Sequence, residues 1–152
     1  MEIWIVRHGD PDYVRDSLTE KGEREAKLLA DRLSKQEFTA FYCSPLGRAK
    51  KTALYTLDKV GKTAETLDWL QEFQGKVGSI LNKKQCWDRM PAYWSEIDDY
   101  YDCQKWLDVE LMKNGSVKKY YDMVCNGVDN LLEKHGYIKD GRIYKAVRPN
   151  HD

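Results

Sequence analysis

The sequence lacks an excess of either charge. Its 152 residues include 25 lysines and arginines against 25 aspartates and glutamates, a balance that leaves no electrostatic footprint for nucleic acid or an anionic membrane. Its apolar runs are too short to cross a bilayer, and the N-terminus lacks the basic segment and cleavage site of a signal peptide. We therefore expect a cytoplasmic protein that recognises any anion through a local cluster of side chains.

Cysteine and histidine are also scarce. The cysteines are widely spaced and form no C-x-x-C pair; they are Cys43, Cys86, Cys103 and Cys125. These spacings argue against a zinc site and against a disulfide framework, so we expect free thiols and no bound metal. Hydrophobic residues nevertheless make up 41% of the chain, which is enough for a packed core and predicts one domain over residues 1–152.

Strand and helix patterns alternate along the first half of the chain. Short β-branched and aromatic runs predict strands at residues 2–6 and 38–43, and residues 64–73 predict a third strand that runs into a loop. Amphipathic patterns predict helices over residues 17–35 and 44–61 between them. This alternation is typical of an α/β fold with a parallel sheet and right-handed crossovers.

Both predicted helices carry terminal signals. Thr19 suits the N-cap of the first helix, Ser44 can cap the second, and Gly61 can end it. The predicted buried face of the first helix is Gly22, Ala26, Leu29, Ala30 and Leu33, and that of the second is Leu46, Ala49, Ala53, Leu57 and Val60.

The second half of the chain has less pattern. Residues 74–107 are dense in Trp, Tyr and Asp and are interpreted as an insertion over one end of the sheet. This segment is either a lid that shapes substrate choice or a satellite hydrophobic cluster, and the sequence does not separate the two. Residues 116–136 predict a long helix stopped by Gly136, and the pair Asp140-Gly141 predicts a hairpin.

The residues whose side chains could take part in catalysis or binding follow two predicted strands. Arg7 and His8 come directly after the first strand, and Arg48 comes shortly after the second. Ligands of open parallel sheets bind beyond the carboxyl ends of the strands, where helix N-termini attract anions. Two guanidinium groups, an imidazole and the helix that starts near Ser44 therefore predict a phosphate pocket. Gly9 would let the backbone approach the ligand closely.

The stretches "IVRHGDPDY", "SLTEKGEREA" and "YCSPLGRAKKTA" closely resemble the histidine phosphatase superfamily, also called the phosphoglycerate mutase-like family. The resemblance implies a three-layer α/β/α fold with a mainly parallel sheet. It implies that His8 is phosphorylated during turnover and that Arg7 and Arg48 hold the phosphoryl oxygens. Glu72, after the third predicted strand, would protonate the leaving oxygen. The resemblance implies no metal ion and no cofactor.

The residues after R-H-G bear on which reaction occurs. The mutases carry a polar Ser and Asn pattern there, whereas this chain has "DPDYVRDS". That departure favours a phosphatase acting on a small phosphorylated metabolite. Arg15 would bind substrate at the pocket rim or lie on the surface. The alternatives are mutase-type phosphoryl transfer and a non-catalytic module that binds a phosphorylated ligand or a partner protein.

The family's second histidine has no clear counterpart in this sequence. His135 follows a predicted helix rather than a strand, and His151 stands one residue from the end. The chain resembles the N-terminal three-quarters of such a domain, with the C-terminal strands missing. We therefore expect either a homodimer or a marginal fold, because an open sheet edge exposes unpaired backbone. We also expect activity below that of a complete enzyme, because one histidine of the pair is absent.

Overall fold

A computed structural model of the chain describes residues 1–78 and 84–148. The chain divides into two compact units, of which one is Met1–Gln71 with Glu133–Asp152 and the other is Glu72–Leu132. The single domain predicted over residues 1–152 stays a prediction. Among the described residues, no helix combines the length and the apolar character needed to cross a bilayer.

Two helices form the centre of the first unit. Helix α1 spans Glu20–Leu33 and begins as predicted, because the Thr19 side chain accepts a hydrogen bond from the Gly22 amide at 3.2 Å. Its buried residues are Gly22, Ala26, Ala30 and Leu33, which confirms the predicted face at four of its five positions. These side chains are small, so α1 can pack closely against helix α2, which spans Gly47–Val60.

The buried face of α2 differs from the prediction. Its buried residues are Arg48, Thr52 and Thr56, whereas the predicted face of Leu and Ala residues is only partly buried. The predicted Ser44 cap is also wrong, because the helix starts at Gly47 with Leu46 at the N-cap and no hydrogen bond from the capping side chain. The C-terminal prediction is confirmed, since Gly61 ends the helix at a φ of 64°.

The strands are short and pair two at a time. In the first unit, Pro11–Asp12 (β1) pairs antiparallel with Ser17–Leu18 (β2), and Tyr42–Cys43 (β3) pairs parallel with Glu65–Thr66 (β4). The predicted strands at 38–43 and 64–73 are therefore confirmed only over β3 and β4. The hairpin is confirmed, with Tyr137–Asp140 (β7) paired to Ile143–Ala146 (β8) and Gly141 at a φ of 63° in the turn.

The strand predicted at residues 2–6 does not form. These residues have no assigned secondary structure, and Ile5 is 92% exposed. The described residues supply no strand to pair with them, and the side chains of Ile3, Ile5 and Val6 are exposed. The Trp4 ring packs against Phe38 and the Arg32 guanidinium group. The described sheets number four with two strands each, and only β3–β4 is parallel. The fold is α/β, but the predicted three-layer, mainly parallel sheet is not confirmed.

The second unit contains a hydrophobic cluster of its own. Its buried members are Val77, Cys86, Met112 and Val117, and its partly buried members are Phe73, Trp94, Tyr100, Trp106, Leu107 and Leu111. Residues of the predicted insertion at 74–107 thus contribute to a hydrophobic cluster. Whether it also acts as a lid stays a prediction.

Two short strands and three helices surround this cluster in the sequence. They are Lys76–Val77 (β5) paired with Lys84–Gln85 (β6), Pro91–Ser95 (α3), Glu110–Lys113 (α4) and Val117–Lys134 (α5). Helix α5 confirms the predicted long helix, and Gly136 follows its end at a φ of 83°. Cys43, Cys86 and Cys125 are free thiols, as predicted. Burial raises the pKa of the Cys43 and Cys86 thiols, so both remain protonated at neutral pH.

Replacing Ile5 by lysine should change the free energy of unfolding by less than about 0.5 kcal/mol, because this side chain is 92% exposed. Urea unfolding of the monomeric chain measures the change. The control is Ala26→Leu in α1, where the side chain is 1% exposed and overpacking should cost about 1–3 kcal/mol. A loss above about 2 kcal/mol for Ile5→Lys would show that residues 2–6 are covered.

Candidate active site

The loop that follows His8 is fixed to the start of α1. The Asp10 carbonyl accepts a hydrogen bond from the Thr19 amide at 3.1 Å, and the Asp10 carboxylate accepts one from Thr19 Oγ1 at 2.7 Å. Strands β1 and β2 then form a hairpin that returns the chain to Thr19. The stretch "DPDYVRDS" is therefore an ordered hairpin rather than an open loop.

Gly9 joins this loop to α2. Its amide donates a hydrogen bond to Thr52 Oγ1 at 3.1 Å, and Thr52 Oγ1 in turn donates to the Arg48 carbonyl at 2.8 Å. A Cβ atom at position 9 would lie 2.8 Å from the Gly22 carbonyl oxygen, so only glycine fits between the two helices. The two motifs predicted to converge are thus linked through a single side chain.

The imidazole of His8 is partly buried and is oriented by the backbone carbonyl of the next residue. Its Nδ1 lies 2.8 Å from the Gly9 carbonyl oxygen. A carbonyl only accepts, so this contact requires the proton on Nδ1. The neutral ring then carries its lone pair on Nε2, which is the arrangement a nucleophilic histidine needs.

The guanidinium group of Arg48 lies against Asp16. The Arg48 side chain is only 11% exposed, and its Nη1 lies 2.9 Å from Asp16 Oδ1. Its Cζ also lies 5.4 Å from the centre of the Tyr13 ring, within the range of a cation–π interaction. A charge this well covered needs a fixed counter-charge, which Asp16 supplies.

The carboxylate of Asp16 also lies at the start of α2. Its carboxylate accepts hydrogen bonds from the Gly47 amide at 2.6 Å and from the Arg48 amide at 3.4 Å. The prediction that this helix end helps to hold the phosphate is therefore not supported, because a carboxylate of the chain already satisfies these amides. The hydrogen bond from Gly47 is the main cause that lowers the pKa of Asp16, and the bonds from Arg48 add to it.

The remaining candidate residues are Arg7, Arg15, Glu72, His135 and His151. Arg7 is exposed, and Arg15 has an 83% exposed side chain that lies 3.8 Å from Asp12. Glu72 begins the second unit, so its role stays a prediction. His135 contacts Tyr42 Oη through Nε2 at 2.8 Å. His151 lies outside the described residues.

The sequence analysis missed two residues of this site. Thr52 stands one helical turn after Arg48, a spacing that places both on one face of a helix and could have revealed it. Asp16 adopts a φ of 45°, the left-handed region that aspartate tolerates better than most residues. No pattern in the sequence links Asp16 to a helix 31 residues later.

The chemistry available here is that of an imidazole, a guanidinium group and backbone amides. Among residues 1–78 and 84–148, no group of three or more His, Cys, Asp or Glu side chains could hold a metal ion. A neutral imidazole with Nε2 unprotonated can attack an electrophilic phosphorus, and a nearby guanidinium group can neutralise the oxygens of a phosphoryl group.

Comparisons with known proteins agree with this chemistry. The histidine phosphatase superfamily (branch 1) matches residues 3–110. Phosphoserine phosphatase 1 of Hydrogenobacter thermophilus is 25% identical over 148 residues, which cover 89% of this chain and 66% of that protein. A probable phosphoglycerate mutase GpmB of Serratia proteamaculans is 36% identical over 70 residues, which cover 40% of this chain and 33% of that protein.

A solved structure supports the fold alone. Mycobacterial hydrolase 1 has a TM-score of 0.51 and 19% sequence identity, over 85% of this chain and 64% of that one. The chain spans less than two thirds of the length of each of these proteins.

The Thr52→Val substitution should cost about 1 kcal/mol of stability, because it removes the acceptor of the Gly9 amide without changing shape. Thermal unfolding measures the loss. Thr56→Val is the matched control, since Thr56 lies on the same buried face and its Oγ1 has no hydrogen-bond partner among the described residues. Equal losses for both variants would contradict the role given to Thr52.

The Asp16→Asn substitution should lower the unfolding temperature at pH 7, with a difference from wild type that disappears in acid. The pKa of Asp16 is lower in the folded chain, so its stabilisation is present above the unfolded pKa of about 4 and is lost as pH falls through the folded pKa. Thermal unfolding of both chains from pH 7 downward tests this. A difference that does not depend on pH would contradict it.

Proposed function

The chain belongs to the histidine phosphatase superfamily (branch 1), and on that premise we propose that it hydrolyses phosphomonoesters of small metabolites through a phosphohistidine at His8. The observation that carries the proposal is the oriented imidazole of His8, joined through Gly9 and Thr52 to Arg48. An oriented nucleophile whose loop is hydrogen-bonded to the helix that carries Arg48 suits phosphoryl transfer.

His8 performs the first step of the proposed reaction. Nε2 attacks the phosphorus while the bond from phosphorus to the leaving oxygen breaks. The hydrogen bond from Nδ1 to the Gly9 carbonyl stabilises the positive charge that develops on the ring. In the second step water attacks the phosphorus of phosphohistidine, the P–N bond breaks, and phosphate leaves.

Arg48 stabilises the transferring group. Its guanidinium group can neutralise the oxygens of a phosphoryl group without taking part in proton transfer. Because the Arg48 side chain is only 11% exposed, its interaction with an anion is screened less by solvent than that of a surface arginine. Arg7 is proposed as a second phosphate ligand and Arg15 as a rim residue, both on the resemblance of their positions.

Glu72 is proposed as the proton donor. It would protonate the leaving oxygen in the first step and take a proton from the attacking water in the second, which leaves it unchanged after one cycle. A positioned acid of this kind contributes roughly 10²–10⁴ in rate. This assignment rests on the position of Glu72 in the sequence.

The chain is similar both to a phosphatase, phosphoserine phosphatase 1, and to a probable mutase, GpmB. These similarities are compatible with either water or a second hydroxyl as the phosphoryl acceptor. The ordered hairpin after R-H-G, which replaces the polar pattern of the mutases, favours water. The mutase-type reaction is kept as the second candidate because the similarity to GpmB is concentrated in 70 residues at 36% identity. The three-layer fold, the homodimer and the cytoplasmic location are likewise proposals.

Incubation with p-nitrophenyl phosphate, followed by a quench in base, should leave an acid-labile phosphoryl group on His8 and release p-nitrophenol. The His8→Ala variant should show neither. His135→Ala is the matched control, because its imidazole contacts Tyr42 instead, and it should keep both label and turnover.

Three results bear on the alternatives. A wild-type chain with neither label nor turnover above His8→Ala would contradict the phosphatase and leave a module that only binds phosphorylated ligands. Label on His135 in place of His8 would contradict the choice of nucleophile. Transfer of the phosphoryl group to an added hydroxyl acceptor in preference to water would favour the mutase.

A further inference from the structure

We propose that Asp16 is a positioning residue that holds the Arg48 guanidinium group in place to receive a phosphoryl group. The inference rests on the proposed function for the role of Arg48 as an anion ligand. The juxtaposition itself comes from the hairpin, whose turn brings Asp16 to the first residues of α2.

The carboxylate of Asp16 is bound from two directions at once. Oδ2 accepts the Gly47 amide at 2.6 Å, while Oδ1 accepts Arg48 Nη1 at 2.9 Å and the Arg48 amide at 3.4 Å. The backbone amides fix the carboxylate relative to the helix, and the carboxylate then fixes the end of the long Arg48 side chain. An arginine held in this way loses less conformational freedom when it binds a ligand.

The backbone of Asp16 is equally constrained. Its φ of 45° is unusual for a residue other than glycine. Its carbonyl oxygen lies so close to Gly47 that any side chain at position 47 would collide with it. The backbone of Asp16 therefore cannot move away from α2 without moving the hairpin, which keeps its carboxylate within reach of Arg48.

The opposite role for Asp16 would be that of a competitor. A carboxylate at the start of a helix and beside an arginine resembles a bound anion, and a phosphate could displace it. The two backbone amides favour positioning, because they hold the carboxylate on α2 independently of the Arg48 guanidinium group. The two roles predict opposite effects on phosphate affinity, so one measurement separates them.

The test is calorimetric titration of the full chain with inorganic phosphate. The Asp16→Asn variant should bind phosphate about tenfold more weakly than wild type, because a misplaced ligand group loses its interaction. Asparagine tolerates the left-handed backbone and can still accept the Gly47 amide, so the variant should fold. The KM for p-nitrophenyl phosphate should rise in parallel. A merely structural role would lower the amount of folded protein without changing the dissociation constant.

Two further variants complete the design. Asp16→Gly keeps the backbone conformation and removes the side chain, so its phosphate affinity should fall at least as far. Asp31→Asn is the matched control, because Asp31 of α1 also pairs with a cation of α2, Lys59, and its loss should leave the affinity unchanged.

The outcomes separate this inference from the proposed function. An unchanged affinity in Asp16→Asn overturns the positioning role, and a tighter one shows that Asp16 competes with the ligand. Phosphate binding by wild type without turnover contradicts the phosphatase but still tests Asp16 through affinity. A wild-type chain that binds no phosphate overturns both.

Discussion

The hydrogen bond from the Gly9 amide to Thr52 Oγ1 is the interaction on which the candidate site depends. It joins the loop that carries His8 to the helix that carries Arg48. The Thr52 hydroxyl in turn donates a hydrogen bond to the Arg48 carbonyl. The distance is short because glycine at position 9 lets the loop pass close to Gly22 of α1. A side chain at either glycine would separate the loop from the helices and move His8 away from α2.

The negative charge of Asp16 offsets the positive charge of Arg48 in this site. Its carboxylate binds the amides at the start of α2 and the guanidinium group of Arg48, so the helix end is satisfied before any ligand arrives. The polar face of α2 thereby holds Arg48 and Thr52 through hydrogen bonds that apolar side chains could not make. Arg48 and Thr52 are buried because each has a fixed hydrogen-bond partner, and burial in turn fixes their geometry.

Local patterns predicted much of this structure. The cap at Thr19, the small residues of α1, the stop at Gly61 and the C-terminal hairpin each follow from short-range rules. The strand at 2–6 could not be predicted correctly from its composition, because a strand needs a partner that the local sequence does not supply. The polar face of α2 and the contact of Asp16 with α2 depend on pairing between distant segments. The resemblance identified His8 and Arg48, but the residues that orient them became visible only in three dimensions.

The central proposal is that His8 and the side chain of Arg48, in the first turn of α2, bind one phosphoryl group. It is tested most directly by titrating the ¹⁵N-labelled chain with inorganic phosphate and following the amide resonances of Gly9 and Gly47, with Gly141 of the distant hairpin turn as reference. The account predicts that Gly9 and Gly47 shift together with a single dissociation constant while Gly141 does not move. Shifts with different constants, or no shift at either glycine, would contradict it.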